Sequence, residues 1–356
     1  MGVAQRSRRW LVPVTAVAVV AGVGALGPVV ADASPNLPGI TAQDLLTKVQ
    51  TAKVDGLSGT VRSATDLGLP ALPGSAGGGE VTEFLTGEHT ARVAFASPDK
   101  ARVSVLDNMA ERVWTTDGKS AWAYDSSQRE AVKLTVPTHS AKPEKSRPEN
   151  YDPQTVAKQF LDAIDPTTKV EVSGTEEVAG RDAYKLRLVP KTDKTTVGSV
   201  TLAVDSKTWV PLQVTVMPRT GNDPAVELGF TSVSFDVPAA STFTFTPPKG
   251  VKVTEEKAPA TRETPKGITP PKSAGDKPTV IGQGWEAVAM VRGVKTTGNG
   301  QLDQLLANAP TVQGSWGKGK VLTSKMVSAL ITDDGRVFVG LVTPDTLQAA
   351  AAKAPR

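Results

Sequence analysis

Between residues 91 and 136 the chain alternates apolar and polar side chains in four short runs. Val93 and Phe95 alternate with Arg92 and Ala94, and Val103 and Val105 with Arg102 and Ser104. Trp122 and Tyr124 alternate with Ala121 and Ala123, and Val132, Leu134 and Val136 with Lys133 and Thr135. Successive side chains of a strand point to opposite faces, so a period of two predicts strands with one dry and one wet face. Turn chemistry separates the runs (Ser97-Pro98-Asp99, Asp117-Gly118, Asp125-Ser126-Ser127), giving an up-and-down antiparallel meander. The pattern returns downstream, where Leu186 and Leu188 alternate with Lys185 and Arg187, Val200, Leu202 and Val204 with Thr201 and Ala203, and Leu212, Val214 and Val216 with Gln213 and Thr215. Further strands are predicted at 57–66, 80–86, 169–178, 182–189, 197–205, 210–217, 225–230, 232–237 and 243–246.

Two segments have helical spacing instead. In 41–53, Thr41 is a good N-cap with Asp44 three residues on, and Leu45, Leu46, Val49 and Ala52 fall on one side. A second helix opens at Pro153 and runs to Ile164, with Val156, Phe160 and Leu161. One-sided strands also occur in two-sheet sandwiches, so the pattern alone leaves the architecture open. Two helices cannot cover ten or so strands, however, so either the sheet curls on itself or its dry face is partly open. With aromatic residues at 5%, that face is lined by branched aliphatics. Residues 67–79 form a Gly/Pro loop that includes leucines, and 137–152 a polar, Pro-punctuated one. Residues 254–279 carry Pro, Lys, Glu and Thr and are predicted to be an extended linker. Beyond it, 280–352 is predicted to be a small α+β unit: a strand around Trp285–Val291, a short helix at 301–308, a hairpin turning at Asp333-Asp334-Gly335, and a last helix capped by Thr343 with Pro344 at its first position. So small a unit has a marginal core of its own and is expected to dock on the main body.

At 356 residues the chain has room for one large domain or two moderate ones. Its formal charge is +4, of which the first 33 residues carry +2, and this is no basis for binding nucleic acid. There is no cysteine, which excludes disulfides, thiolate nucleophiles, cysteine metal sites and a lipid-modified N-terminal cysteine. Residues 1–33 pass from basic (Arg6, Arg8, Arg9) through apolar to Ala31-Asp32-Ala33, the pattern of an export signal cleaved before Ser34. The expected location is the periplasm, the cell-wall space or the medium. An uncleaved membrane anchor is the alternative, which Pro13, Pro28 and the glycines weaken. Gly22-Val23-Gly24-Ala25-Leu26-Gly27 fits a dinucleotide pattern by chance composition, inside the signal.

No catalytic constellation can be assembled. His89 and His139 are the two histidines, and there is no HExxH pair, no G-x-S-x-G serine and no Walker loop. Asp333-Asp334-Gly335 lacks the further ligands of a metal loop. The chain is therefore expected to be no enzyme, with no metal and no cofactor.

Several stretches over 37–253 resemble the LolA/LolB-like lipoprotein carriers, a superfamily that includes the RseB/MucB-like sensors and the lipid-binding lipoproteins of mycobacteria. They are the helix-to-strand start DLLTKVQTAKVDGLSGTV, Ser97-Pro98-Asp99-Lys100 entering a strand, the run from Thr116 to Asp125 (TDGKSAWAYD), and the closing Phe243-Thr244-Phe245-Thr246-Pro247-Pro248-Lys249-Gly250-Val251. The extension at 280–352 is similar to tails of actinobacterial relatives. The resemblance implies a mainly β (α+β) fold: a single curved antiparallel sheet forming an unclosed barrel, lid helices across it, and acyl chains bound between. It implies a monomeric extracytoplasmic carrier or binder of lipid or lipoprotein acyl chains, in transient contact with a membrane or membrane proteins. The alternative is an RseB-like sensor that binds a membrane partner of the anti-sigma-factor type. Where the best-known carriers place a lid-locking arginine before the proline, this chain has Ser97, so that role does not carry over. The residues expected to line a lipid site are Val93, Phe95, Val103, Val105, Trp122, Tyr124, Leu186, Leu188, Leu202, Val214 and Val216.

Overall fold

The computed structural model describes residues 35–68, 86–107, 110–135, 166–257, 278–293 and 306–354. The expected export signal, most of the expected 67–79 loop, the expected 80–86 strand up to its last residue, the expected 137–152 loop and 153–164 helix, most of the expected linker and the start of the expected 301–308 helix lie outside these residues. Helix α1 (Ala42–Thr51) is followed by β1 (Gly56–Asp66), β2 (Thr86–Ala96), β3 (Lys100–Asp107), β4 (Ala110–Thr116), β5 (Ser120–Asp125) and β6 (Glu130–Thr135). Then come β7 (Thr168–Val178), β8 (Arg181–Pro190), β9 (Val197–Asp205), β10 (Pro211–Pro218), β11 (Val226–Ser234) and β12 (Lys252–Lys257). These twelve strands form one curved, unclosed sheet in the order β12-β6-β5-β4-β3-β2-β1-β11-β10-β9-β8-β7. Every pair is antiparallel except β12 with β6.

The strand assignments of the large sheet differ from the sequence reading in four places. Strand β4 breaks the one-sided rule, because Val113 is buried on one face while Arg112 is buried on the other, so alternation of apolar residues misses it. The segments at 225–230 and 232–237 are largely one strand, β11, whose register against β1 shifts at Thr60/Val61. Residues 240–243 form a 3₁₀ turn and 244–246 carry no strand pairing, so no strand stands at 243–246. The linker begins later than its composition suggests. Its first polar residues are β12, an exposed edge strand tied to β6 by the ion pairs Lys252–Glu130 (2.8 Å) and Glu255–Lys133 (2.9 Å). Charged side chains are what an edge strand carries.

The face of the sheet that bears α1 is called inner here. Thr41 caps α1, accepting from the Asp44 N–H at 3.1 Å and donating to the Asp44 carboxylate at 2.7 Å. Leu45 is fully buried, and the stripe Leu45-Leu46-Val49 packs on Tyr184, Leu186, Leu202 and Val204. The outer face has its own cover. After β11 the chain crosses it as the 240–245 segment, burying Phe243 against Ala94 and Ala96. Arg102 donates to the Thr242 carbonyl (3.2 Å) and Thr115 to the Phe243 carbonyl (3.0 Å).

The C-terminal unit is a second sheet of β13 (Thr279–Ile281), β14 (Val288–Val291), β15 (Thr311–Gly314), β16 (Gly317–Thr323), β17 (Ser328–Thr332) and β18 (Val337–Gly340), in the order β13-β14-β18-β17-β16-β15. Helix α2 (Pro344–Lys353), capped by Thr343, covers one face over Val288, Met290, Leu330 and Phe338. Trp285, expected in a strand, lies in a 3₁₀ turn just before β14. The unit docks on the large sheet through the β8–β9 loop. Thr195 bridges to Val342, the Thr343 N–H donates to Lys194 O (2.9 Å), and the Thr196 N–H to Leu341 O (3.1 Å). Lys325 pairs with Asp66 at 3.0 Å, and Trp285 Nε1 donates to Thr168 at 2.8 Å. Met326, 1% exposed, is buried with Val197 and Ala225.

Phe243 is among the largest fully buried side chains and closes the outer face. Phe243→Ala is expected to cost about 3–5 kcal/mol, read as a lowered denaturant midpoint with an unchanged slope.

Candidate functional site

Residues paired directly across strands share a face. Val93 pairs with Val103, Val103 with Trp114, Trp114 with Ala123, and Ala123 with Val132. One row along, Val61 pairs with Ala91 and Ala91 with Val105, while Val61 also pairs with Phe230 of β11. On the other half, Leu186 pairs with Leu202, Leu202 with Val214 and Val214 with Leu228, and Leu188 with Val200 and Val200 with Val216. Since Leu228 pairs with Ser63, two residues from Val61, both halves belong to one face, the inner one. Val93, Phe95, Val103, Val105, Leu186, Leu188, Leu202, Val214 and Val216 therefore lie on a single surface. Val105 and Leu186 are buried and the rest half-buried.

Trp122 and Tyr124 do not join them. Trp122 pairs with Thr115 and Tyr124 with Val113, residues of the outer face. There Phe245 packs against both rings, at centroid distances of 5.5 and 5.3 Å. The physical reason is that the 240–245 segment supplies an apolar layer outside the sheet, so on β5 the large side chains face out and Ala121 and Ala123 face in.

Sequence reasoning also missed Arg112. It is 8% exposed and sits on the inner face between its register partners Val105 and Asp125. Burial pushes the Asp125 carboxyl up, but hydrogen bonds from Ser127 and Gln128 and the Arg112 charge outweigh it and hold the group below its usual range. A lone arginine in a strand that fails the one-sided rule gives no signal in one sequence.

Cover on the inner face is uneven. Leu186, Leu188 and Leu202 lie under α1, and Val200 and Val216 under Met326 and Trp285. On β2–β4 the buried cluster of Ala91, Val105, Val103 and Trp114 is made of strand residues alone among the described ones. An open cleft of about 950 Å³ flanks α1, lined by Leu37, Ile40, Lys48, Tyr184 and Trp209 among others, and none of the residues expected to bind lipid lines it.

Helix α1 is fastened at the β9–β10 turn. Trp209 adopts φ 63°, a left-handed conformation that favours glycine. Its ring stacks on Tyr184 (centroids 6.0 Å, 12° between planes), and Lys48 Nζ of α1 lies 4.3 Å from its centroid. The turn is held by Asp205, 1% exposed, which takes Arg181 through two bonds (2.6 and 3.0 Å) and the Thr208 hydroxyl at 2.8 Å. Burial pushes the Asp205 carboxyl up, but Arg181 and Thr208 outweigh it and hold it below the usual carboxylate range. No group of histidine and carboxylate side chains that could hold a metal occurs among the described residues.

No protein-family model matches the chain, and no curated protein does. Solved structures do. The complex of MucA and MucB from Pseudomonas aeruginosa is 16% identical, covers 87% of this chain and 96% of that one, and has a TM-score of 0.42. A LolA superfamily protein from Nitrosomonas europaea is 13% identical over 58% of this chain and 99% of that one, with a TM-score of 0.21. A putative outer membrane lipoprotein-sorting protein domain from Vibrio parahaemolyticus is 8% identical over 54% and 91%, again with a TM-score of 0.21.

Asp205→Ala strands Arg181 and frees the turn that fastens α1, and is expected to cost about 3 kcal/mol by denaturant unfolding. Because the folded carboxyl is depressed, this stability is present above the ordinary aspartate value of about 3.9 and is lost as pH falls through the lower folded value. Wild type should therefore weaken on acidification in that window more than the alanine variant does. Solved structures similar to this chain thus include MucB and a LolA superfamily protein.

Proposed function

We propose that this protein is an extracytoplasmic binder or carrier of lipid or lipoprotein acyl chains, held on the inner face of its curved sheet. The observation that carries the reading is the apolar character of that face on both sides of β1. One row runs in register from Val132 on β6 to Val93 on β2 and another from Leu228 on β11 to Leu186 on β8, and the covering elements among the described residues leave Val93, Phe95 and Val214 half-buried. Each acyl methylene gains about 0.8 kcal/mol on burial, so ten or more supply affinity without a specific polar contact. The export-signal pattern at 1–33 supports a site of action outside the cytoplasm.

The test is native mass spectrometry of the purified protein, followed by titration with a fluorescent fatty acid. Val103→Glu is expected to weaken binding about tenfold or more, and the outer-face variant Trp122→Ala to leave it unchanged. A protein that carries no lipid and binds none contradicts the reading, as does a loss caused by Trp122→Ala and not by Val103→Glu.

A second reading, a sensor with a membrane-protein partner, draws on the C-terminal unit. The face of its sheet opposite α2 exposes Val280 (66%), Val339 (38%) and Leu341 (42%), a surface suited to protein contact. On this reading Val280→Asp combined with Val339→Asp abolishes co-isolation of a membrane protein while fatty-acid binding stays at the wild-type level. Unchanged co-isolation argues against it.

A further inference from the structure

Among the described residues, the inner face of β8–β11 is covered at two places and uncovered between them. Helix α1 lies over Leu186, Leu202 and Val204. Met326, Trp285 and Leu67 lie over Val200 and Val216. Between the two sit Val214 and Leu228, which pair with each other, and Val214 also pairs with Leu202. Both are half-buried, and neither belongs to the cluster under α1 or to that under the C-terminal unit. They form the floor of an aliphatic slot with α1 along one side and Met326 and Trp285 along the other. The floor turns polar on β1, where Ser63 is the partner of Leu228 and Thr65 that of Val226.

We propose that this slot is the terminal subsite for an acyl chain, holding its methyl end, and that the C-terminal unit supplies the end wall through Met326 and Trp285. The proposal rests on the acyl-binding reading above. The methyl end fits because Val214 and Leu228 offer only hydrocarbon. The wall is firmly placed. The Met326 N–H meets Leu67 O at 3.4 Å, its carbonyl accepts from Thr196, and Trp285 is tied to Thr168. A firm wall makes chain length the quantity that is selected, with a contribution from the C-terminal unit to a site carried by the large sheet.

The test uses the full chain and a series of linear saturated fatty acids of increasing length, each displacing one fluorescent fatty acid. Val214→Trp fills the slot at a half-buried position and is expected to weaken the longest acids about tenfold while leaving the shortest unchanged. Trp285→Ala lowers the wall and should move the preference to longer acids. Hydrogen exchange at residues 195–197 shows whether that variant stays docked, and if it does not, Val214→Trp alone decides. A length profile that Val214→Trp leaves unaltered, or lowers equally at every length, overturns the subsite while acyl binding stands. Wild-type protein that binds no acid of any length overturns both.

Discussion

The structure depends on cross-strand register. Each strand shows alternate faces every residue, so a slip of one position in any pair would turn a row of valines and leucines from the inner face to the outer. Register holds from β6 to β8: Val132, Ala123, Trp114, Val103 and Val93 form one row, and Leu228, Val214, Leu202 and Leu186 another. The two halves meet where β1 pairs with both β2 and β11. There a shift at Thr60/Val61 lets the curved strands stay in step.

A single sheet has two faces and must dispose of both. On β2–β5 the outer face is covered by one crossing segment, whose Phe243 and Phe245 sit there and whose carbonyls satisfy Arg102 and Thr115. The inner face is covered piecemeal, by α1 at β7–β9 and by the C-terminal unit at the other end of β9 and β10. That unit carries its own core under α2, yet it is joined to the large sheet by a β-bridge, an ion pair and a shared apolar cluster. It therefore behaves as part of the same surface. Trp209 shows what such cover demands locally. A bulky ring stands in a backbone conformation suited to glycine, held there by its stacking on Tyr184 and by Lys48 of the helix that it fastens.

How much of the site was legible follows from which faces were simple. On β2, β3, β8, β9 and β10 most of the large apolar residues fall on one face, so alternation placed Val93, Val103, Leu186, Leu202 and Val214 together. On β5 the same logic put Trp122 and Tyr124 with them, and the structure turns both outward onto Phe245. Alternation says which residues share a face, never which of two covered faces it is. β4 was invisible because both of its faces are partly apolar, and Arg112, a buried charge on the inner surface, went with it.

The period of two and the turn residues between runs are local properties, and the linear sequence by itself determined most of the strands, the capped helix α1 and the predominance of β structure. The motifs at 97–100, 116–125 and 243–251 carried the superfamily likeness with them. Only tertiary structure decided what lies over each face: that the 240–245 segment crosses the outside, that the charged start of the linker completes an edge as β12, and that Met326 and Trp285 reach the inner surface from the far end of the chain. The reason is separation. These contacts join residues 100 or more positions apart, and no spacing rule within a strand or helix records which distant segment will cover it.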